Sequence, residues 1–216
     1  MAKVHIGNVY PPDDYLLARC APAGFGLGVK NGFDCTDCNE AILNGTYYLY
    51  GEAAVNHPGN SMQYGCLVVH RRGQYITQVI HYDYYEAKRF SKDGGVIWGE
   101  WEWANPPLYA GAEYRTTERF RGDPVYIKLV DCAGMPSANS VKAVEHGITF
   151  MRHIIDFGGY MMPENLNAIS LPYRFSSDNC AYLSVDSKKI QIESGATDVS
   201  TYTDVHVWIK YTKSTD

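Results

Sequence analysis

The segment Thr203-Asp-Val-His-Val-Trp-Ile-Lys-Tyr211 alternates apolar and polar residues with a period of two. This alternation predicts a β-strand that buries one face and exposes the other. The predicted buried residues are Val205, Val207, Ile209 and Tyr211, and the opposite face carries Asp204, His206, Trp208 and Lys210. Trp208 is unusual on the polar face, because an indole ring left in water favours a partner that covers it.

Short extended runs separated by Gly, Pro, Asn and Asp recur along the chain, whereas amphipathic helical periodicity is nearly absent. This pattern predicts an all-β protein. The other predicted strands are 45–49, 66–70, 75–84, 96–103, 124–131, 147–156, 168–175, 181–185 and 189–193. In the strand 75–84 we expect Tyr82 and Tyr84 on the apolar face. Residues 139–145 are predicted as a helical turn that His146-Gly147 ends.

The stretch Ala104-Asn-Pro-Pro107 marks a domain boundary, because consecutive prolines cannot join a central strand ladder. We therefore predict two small β domains, residues 18–105 and residues 106–216. Residues 1–17 are predicted as an extended lead-in, broken by Pro11-Pro-Asp-Asp14. Such a lead-in is typical of a piece of a modular assembly.

The composition limits the function classes. The 216 residues include 18 Tyr, 7 Phe and 4 Trp, which argues against a disordered polar chain. A net charge of −5 and the lack of a basic run argue against a nucleic-acid partner. The apolar runs are too short for membrane insertion, and the N-terminus has no signal-peptide core, so we expect folding in a cytoplasm.

The six cysteines are irregularly spaced and are predicted to be free thiols. Cys35-Thr-Asp-Cys38 is a C-x-x-C motif, for which Cys66 with His57 or His70 would have to complete a zinc site. The thioredoxin context that a redox role needs is also missing. We favour two ordinary loop cysteines and predict no metal and no cofactor.

The segment Trp98-Gly-Glu-Trp-Glu-Trp103 offers the main candidate for catalysis. If it is a strand, Glu100 and Glu102 share a face at a spacing that a glycosidase pair tolerates. A solvated strand face explains the same pattern and is the favoured interpretation. No G-x-S-x-G motif occurs, and Gly24-Phe-Gly-Leu-Gly28 has the wrong spacing for a dinucleotide-binding loop. We therefore predict that the protein is not an enzyme.

The first half of the chain resembles the pyocin-type knob domain of phage tail fibres. The matching pieces, in family order, are Asn44-Gly-Thr-Tyr-Tyr-Leu-Tyr50, Asn56-His-Pro58, Cys66-Leu-Val-Val69, Ile76-Thr-Gln78, Lys88-Arg-Phe90 and Trp98-Gly-Glu-Trp101. Each piece is short, so the resemblance depends on their order. It implies a knob-like β domain.

The second half is similar to C-terminal modules of tail or baseplate proteins from phages and prophages of Gram-positive bacteria. The matching pieces are Glu113-Tyr-Arg-Thr-Thr-Glu-Arg119, Gly122-Asp-Pro-Val-Tyr-Ile-Lys128, His146-Gly-Ile148 and Tyr211-Thr-Lys213. This resemblance implies a β-sandwich or jelly-roll-like fold and carries over no catalytic or ligand residue.

Together the two resemblances imply a homotrimeric tail-fibre protein, assembled in the host cytoplasm and located on the virion tail. Its expected partners are other tail or baseplate proteins and a host cell-surface carbohydrate. Tyr and Trp suit that role because they offer rigid contact area with a polar edge. The candidate ligand-binding residues are Tyr109, Tyr173, Tyr202, His206 and Trp208.

Three hypotheses follow. The preferred one is a receptor-binding adhesin without catalysis. The second is a purely structural fibre segment or trimerisation knob, with the adhesive element on another protein. The third is a glycan depolymerase that uses Glu100 and Glu102. For Trp208 itself, a neighbouring loop or a subunit interface is an alternative to a sugar as the partner that covers the ring.

Overall fold

The computed structural model describes residues 33–50, 54–59, 64–163 and 168–215. Within these ranges the chain forms fifteen β-strands and no helix, which confirms the predicted all-β class. No helix in the described part is therefore long and apolar enough to cross a membrane. The chain divides into two compact units, Met1–Pro106 and Pro107–Asp216, which we call unit 1 and unit 2. The predicted lead-in and the glycine-rich segment 24–28 lie outside the described residues.

Unit 1 contains a sheet whose strands are neighbours in sequence order. The strands are β1 Phe33–Cys35, β2 Gly45–Tyr50, β3 Tyr64–Arg72, β4 Tyr75–His81, β5 Glu86–Ser91 and β6 Glu102–Trp103. β1 and β2 are parallel and the other neighbouring pairs are antiparallel. On β4 the period of two places Ile76, Gln78 and Ile80 on the buried face. The core of unit 1 therefore includes a polar side chain, Gln78.

The predicted strand 96–103 is wrong except for its last two residues. The carboxylate of Asp93 accepts hydrogen bonds from the backbone N–H groups of Val96 and Ile97. These local bonds form a turn and use donors that a strand ladder would need. As a result Glu100 is exposed and outside any strand, whereas Glu102 is buried on β6.

The prediction for Tyr84 is also wrong, because β4 ends at His81 and the Tyr84 side chain is 82% exposed. Tyr82, which directly follows the last residue of β4, is buried as predicted. The turn between β4 and β5 therefore ends the strand earlier than the sequence pattern predicts.

Unit 2 contains two sheets. Its strands are β7 Glu113–Phe120, β8 Asp123–Asp131, β9 Val141–Glu145, β10 Met151–Met162, β11 Ile169–Leu171, β12 Tyr173–Arg174, β13 Cys180–Val185, β14 Lys189–Ser194 and β15 Asp204–Lys213. One sheet has the order β7-β8-β15-β10-β11 and the other has the order β12-β13-β14-β9. The two sheets share one hydrophobic core, which makes unit 2 a β-sandwich.

The alternation predicted for β15 is confirmed. All four predicted core residues have no exposed surface: Val205, Val207, Ile209 and Tyr211. They pack with Ile190 and Ile192 of the facing sheet in the core of unit 2. Burying each of these aliphatic side chains contributes roughly 1.5–3 kcal/mol. β15 lies between β8 and β10, so both of its edges are paired.

The predicted helical turn 139–145 is wrong, because residues Val141–Glu145 form β9. β9 pairs antiparallel with β14, with Val144 opposite Ile190. A segment this short has little helical stability of its own, so pairing with an existing sheet edge decides its structure. The predicted strand 168–175 is likewise divided at Pro172 into β11 and β12, which belong to different sheets.

Candidate functional site

The outward face of β15 continues onto its two neighbouring strands. Trp208 lies opposite Gly158 of β10 and Leu129 of β8. The next pairs along the sheet join His206 to Tyr160 and Asp131. We call the surface formed by Leu129, Asp131, Tyr160, His206 and Trp208 the outer face.

Trp208 rests on a strand position that has no side chain. A Cβ atom added at Gly158 would lie only 2.4 Å from Cζ2 of the indole, and two further ring atoms lie within about 3 Å. The ring therefore lies directly over the backbone of β10 and is held there by the sheet. Trp208 remains half-buried, so part of its surface is available for contact.

His206 and Tyr160 form the polar edge of the outer face. Their rings stack at a centroid distance of 5.4 Å and an interplanar angle of 25°. Nδ1 of His206 lies 2.9 Å from Oδ1 of Asp204, at ion-pair distance but not aligned for a hydrogen bond. Burial raises the pKa of Tyr160, and the carboxylates of Asp204 and Asp131 add to that effect. Its hydroxyl is therefore a neutral donor and acceptor at physiological pH.

The charge along this face is unevenly distributed. At one end, Nζ of Lys210 lies 2.8 and 3.0 Å from the two carboxylate oxygens of Glu118, which neutralise it. At the other end, Asp131 and Asp204 bring negative charge close to Tyr160. A ligand on the outer face therefore contacts the apolar ring of Trp208, which is bordered by acidic and hydrogen-bonding groups.

The structure brings together only part of the predicted binding set. His206 and Trp208 share the outer face, and Tyr109 is 55% exposed on a turn whose Gly111 N–H donates to the Leu129 carbonyl. Tyr173 and Tyr202 instead pack against the core of unit 2. Tyr160 was missed because the predicted strand ended at residue 156.

In unit 1 the residues of the knob-like motif converge on Arg89. Its guanidinium lies over the rings of Trp98 and Trp101, at 4.4 and 4.5 Å from their centroids. Its Nε donates to Oε1 of Gln78 at 2.8 Å. Arg89 is only 6% exposed, and burial lowers its pKa to about 10. These contacts connect strands and loops, so the motif has an architectural role here.

The motif residues of unit 2 converge in the same way on Glu113. Its carboxylate accepts hydrogen bonds from the hydroxyl of Tyr211 and from Nζ of Lys213. Tyr126 stacks on Tyr211 with ring centroids 5.8 Å apart, and Lys213 lies over the Tyr126 ring. The pieces 113–119, 122–128 and 211–213 thus meet in one cluster that joins β7, β8 and β15. This arrangement accounts for Tyr126 and Tyr211 without a ligand.

The described residues also bear on metal binding and catalysis. Within the described ranges, no group of three or more His, Cys, Asp and Glu side chains is placed to hold a metal ion. All five cysteines in these ranges are free thiols. Glu100 and Glu102 do not share a strand face, so the geometric basis for pairing them is lost.

No protein-family model matches the chain, and no curated protein matches it in sequence. Among solved structures, an N-truncated R2-type pyocin tail fibre aligns at 9% identity over 84% of this chain and 96% of its own length, with a TM-score of 0.28. C-terminal portions of the P. aeruginosa R1 and R2 pyocin fibres align at 10% and 8% identity, over 83% and 84% of this chain and 66% and 65% of theirs. Their TM-scores are also 0.28, which is too low to establish a common fold.

Proposed function

We propose that the protein is a receptor-binding tail-fibre protein of a phage, prophage or tailocin that attaches to a host cell-surface glycan without catalysis. The observation that carries this proposal is the half-buried Trp208, which lies on Gly158 beside Tyr160 and His206. The order of the tail-fibre-like motifs along the sequence supports the same role. The working form is a homotrimer on the virion tail, assembled in the host cytoplasm together with other tail or baseplate proteins.

A glycan suits the outer face for a physical reason. Pyranose rings present a flat patch of C–H groups that packs on an indole, while their hydroxyls need hydrogen-bond partners at the edge. Tyr160 supplies a hydroxyl, and Asp131 and Asp204 supply acceptors next to it. The outer face combines the apolar surface of Trp208 with polar groups at its edge. It therefore suits a sugar better than it suits a purely apolar partner.

The charge on the face narrows the class of glycan. Asp131 and Asp204 would repel an anionic sugar, and Lys210, on the same strand as Trp208, is already paired with Glu118. We therefore propose that the ligand is a neutral or amino sugar rather than a uronic or sialic acid.

Replacing Trp208 by Ala is expected to reduce the affinity of the intact oligomer for host cells by about thirtyfold, since a central aromatic hot spot is worth about 2 kcal/mol. Binding of fluorescently labelled protein to host cells and to their purified surface polysaccharide measures the effect. Tyr182→Ala is the matched control, because Tyr182 is an aromatic residue 49% exposed on the other sheet of unit 2.

The same variants separate the structural hypothesis from the adhesive one. If Trp208→Ala lowers adsorption while sedimentation still gives a trimer, the outer face binds the receptor. If the variant dissociates into monomers, the face is a subunit interface and the structural hypothesis replaces ours. A wild-type monomer at micromolar concentration would remove the trimer from the proposal.

The depolymerase hypothesis stays a prediction with its own test. Release of reducing ends from host polysaccharide by the wild-type protein, lost in Glu100→Gln or Glu102→Gln, would refute a role without catalysis. We expect no release above the level of the buffer control.

A further inference from the structure

Three side chains with complementary acid–base chemistry form one row across the sheet of unit 1. Cys66 of β3 lies opposite His81 of β4, and His81 lies opposite Glu86 of β5. The neighbouring pair, Leu67 and Ile80, has no exposed surface, so the alternation of side chains places the row on the outward face. Opposite residues of antiparallel strands have their Cβ atoms about 4.5–5.5 Å apart. The row therefore brings a thiol, an imidazole and a carboxylate next to one another.

The orientation of His81 is set by Glu86. Nδ1 of His81 lies 3.2 Å from Oε2 of Glu86, and both side chains are about half exposed. Because Nδ1 faces β5, the opposite edge of the ring, which carries Nε2, faces β3 and Cys66. A base that is held by a third group beside a nucleophile is the arrangement that activates a thiol.

Cys66 is the accessible thiol of the described chain. The other four cysteines in the described ranges are buried, whereas Cys66 is half-buried. Burial raises the pKa of its thiol. The resting thiol is therefore protonated at neutral pH, and it becomes a nucleophile when a neighbouring base removes its proton.

A pocket lies beside this row on the same face. It has a volume of about 150 Å³ and is lined by Gly45, Thr46, Val68, Val69 and His70. Val68 is two residues from Cys66 on β3, and Thr46 is two residues from Tyr48, which lies opposite Cys66. A cavity of roughly this volume accommodates a benzene-sized group. The pocket can therefore take one small group next to the Cys66 thiol.

The charges around the row leave Glu86 as the direct partner of His81. The other ionisable side chains that the described strands place within two rows on this face are Tyr48, Tyr64, His70, Lys88 and Glu102. Lys88 and Glu102 lie opposite each other, so their charges offset one another. The surroundings of the thiol thus carry little net charge, which favours an uncharged reaction partner.

We propose that Cys66 is a reversible S-thiolation site, at which His81 acts as the base and Glu86 as its positioning residue, with small uncharged disulfides as the co-reactant. Nε2 of His81 takes the thiol proton, and the Cys66 thiolate attacks one sulfur of the small disulfide. The S–S bond of the small molecule breaks, and the leaving thiolate takes the proton from His81. One protein thiol and one small disulfide thus give one mixed disulfide and one small thiol. The pocket beside Val68 holds the small group that stays on Cys66.

Mass spectrometry of the full chain tests this proposal. The folded protein is incubated with 2-hydroxyethyl disulfide, its remaining thiols are alkylated without reduction, and the chain is cleaved after glutamate. In the resulting peptide 53–86 the only cysteine is Cys66. We expect one mercaptoethanol adduct on this peptide, which reduction removes, while the buried Cys132 and Cys180 carry none.

Three variants test the role of the row. His81→Gln is expected to slow formation of the adduct at pH 7 by about a hundredfold, the lower end of what a positioned base contributes. Its rate should then rise by about tenfold per pH unit with the thiolate fraction, whereas the wild-type rate depends less on pH. Glu86→Gln should cause a smaller loss. Thr77→Ala, on the same strand face as His81 but two rows away, should react as the wild type does.

Two outcomes would overturn the proposal. One is a peptide 53–86 without the adduct after incubation of the folded protein. The other is a His81→Gln variant that reacts as fast as the wild type and with the same dependence on pH. Neither readout depends on receptor binding, so the proposed adhesive function can fail or hold independently.

Discussion

Replacing Gln78 by Leu is expected to lower the free energy of unfolding of unit 1 by about 3 kcal/mol or more, since each buried polar group left without a partner costs about 1–3 kcal/mol. Gln78 has no exposed surface. Its Nε2 donates to the carbonyls of Cys38 and Ala41, and its Oε1 accepts from Nε of Arg89. Leucine leaves three buried polar groups without these bonds.

Tryptophan fluorescence can measure the stability of unit 1 separately. Trp98, Trp101 and Trp103 lie in unit 1, and Trp208 is the only tryptophan of unit 2. In a Trp208→Phe background, fluorescence therefore reports urea unfolding of unit 1 alone. Because Arg89 lies over two of these rings, its displacement should also change the emission of the folded state.

Thr77→Ala is the matched control for this prediction. Thr77 is the exposed neighbour of Gln78 on β4, so its truncation should change stability by no more than about 0.5 kcal/mol. If Gln78→Leu is as stable as this control, the hydrogen-bond cluster contributes nothing to unit 1. The contacts that these motif residues make with one another would then not contribute to the free energy of unfolding of unit 1.

Patterns with a clear local cause were predictable from the sequence. The alternation in 203–211 identifies the buried face of β15 because a strand places successive side chains on opposite faces. The order of Gln78, Arg89 and the Trp98–Trp101 piece resembles a knob domain, and that assignment stays a prediction. The sequence does not reveal that these residues meet in one cluster, because their contacts form between elements that are separated along the chain.

The failures arise where partners distant in sequence determine the local structure. Residues 139–145 contain no strong strand signal, and β14 imposes the extended conformation on them. The binding hypothesis identified Trp208 but not Gly158 or Tyr160, because the register between β10 and β15 decides which residues face each other. That register includes irregularities near Met151 and Ile154, which an alternation pattern does not predict.

The same register makes Gly159 a critical position in unit 2. A Cβ atom there would lie 2.6 Å from the carbonyl oxygen of His206 and 3.1 Å from Cγ2 of Val207. The first contact is with backbone of the neighbouring strand, which no side-chain rotation relieves. Gly158 differs, because the three atoms nearest to a methyl group there all belong to the ring of Trp208.

Gly159→Ala is therefore expected to destabilise unit 2 by about 1–3 kcal/mol, since overpacking forces the backbones of β10 and β15 apart. Hydrogen exchange followed by mass spectrometry should show faster exchange across β10 and β15, with unit 1 unchanged. Ser184→Ala, at an exposed position on β13, is the control that should leave the exchange as in the wild type. Unchanged exchange in Gly159→Ala would contradict the close packing of the two strands. The position of the Trp208 ring over β10 depends on that packing and would then have to be reconsidered.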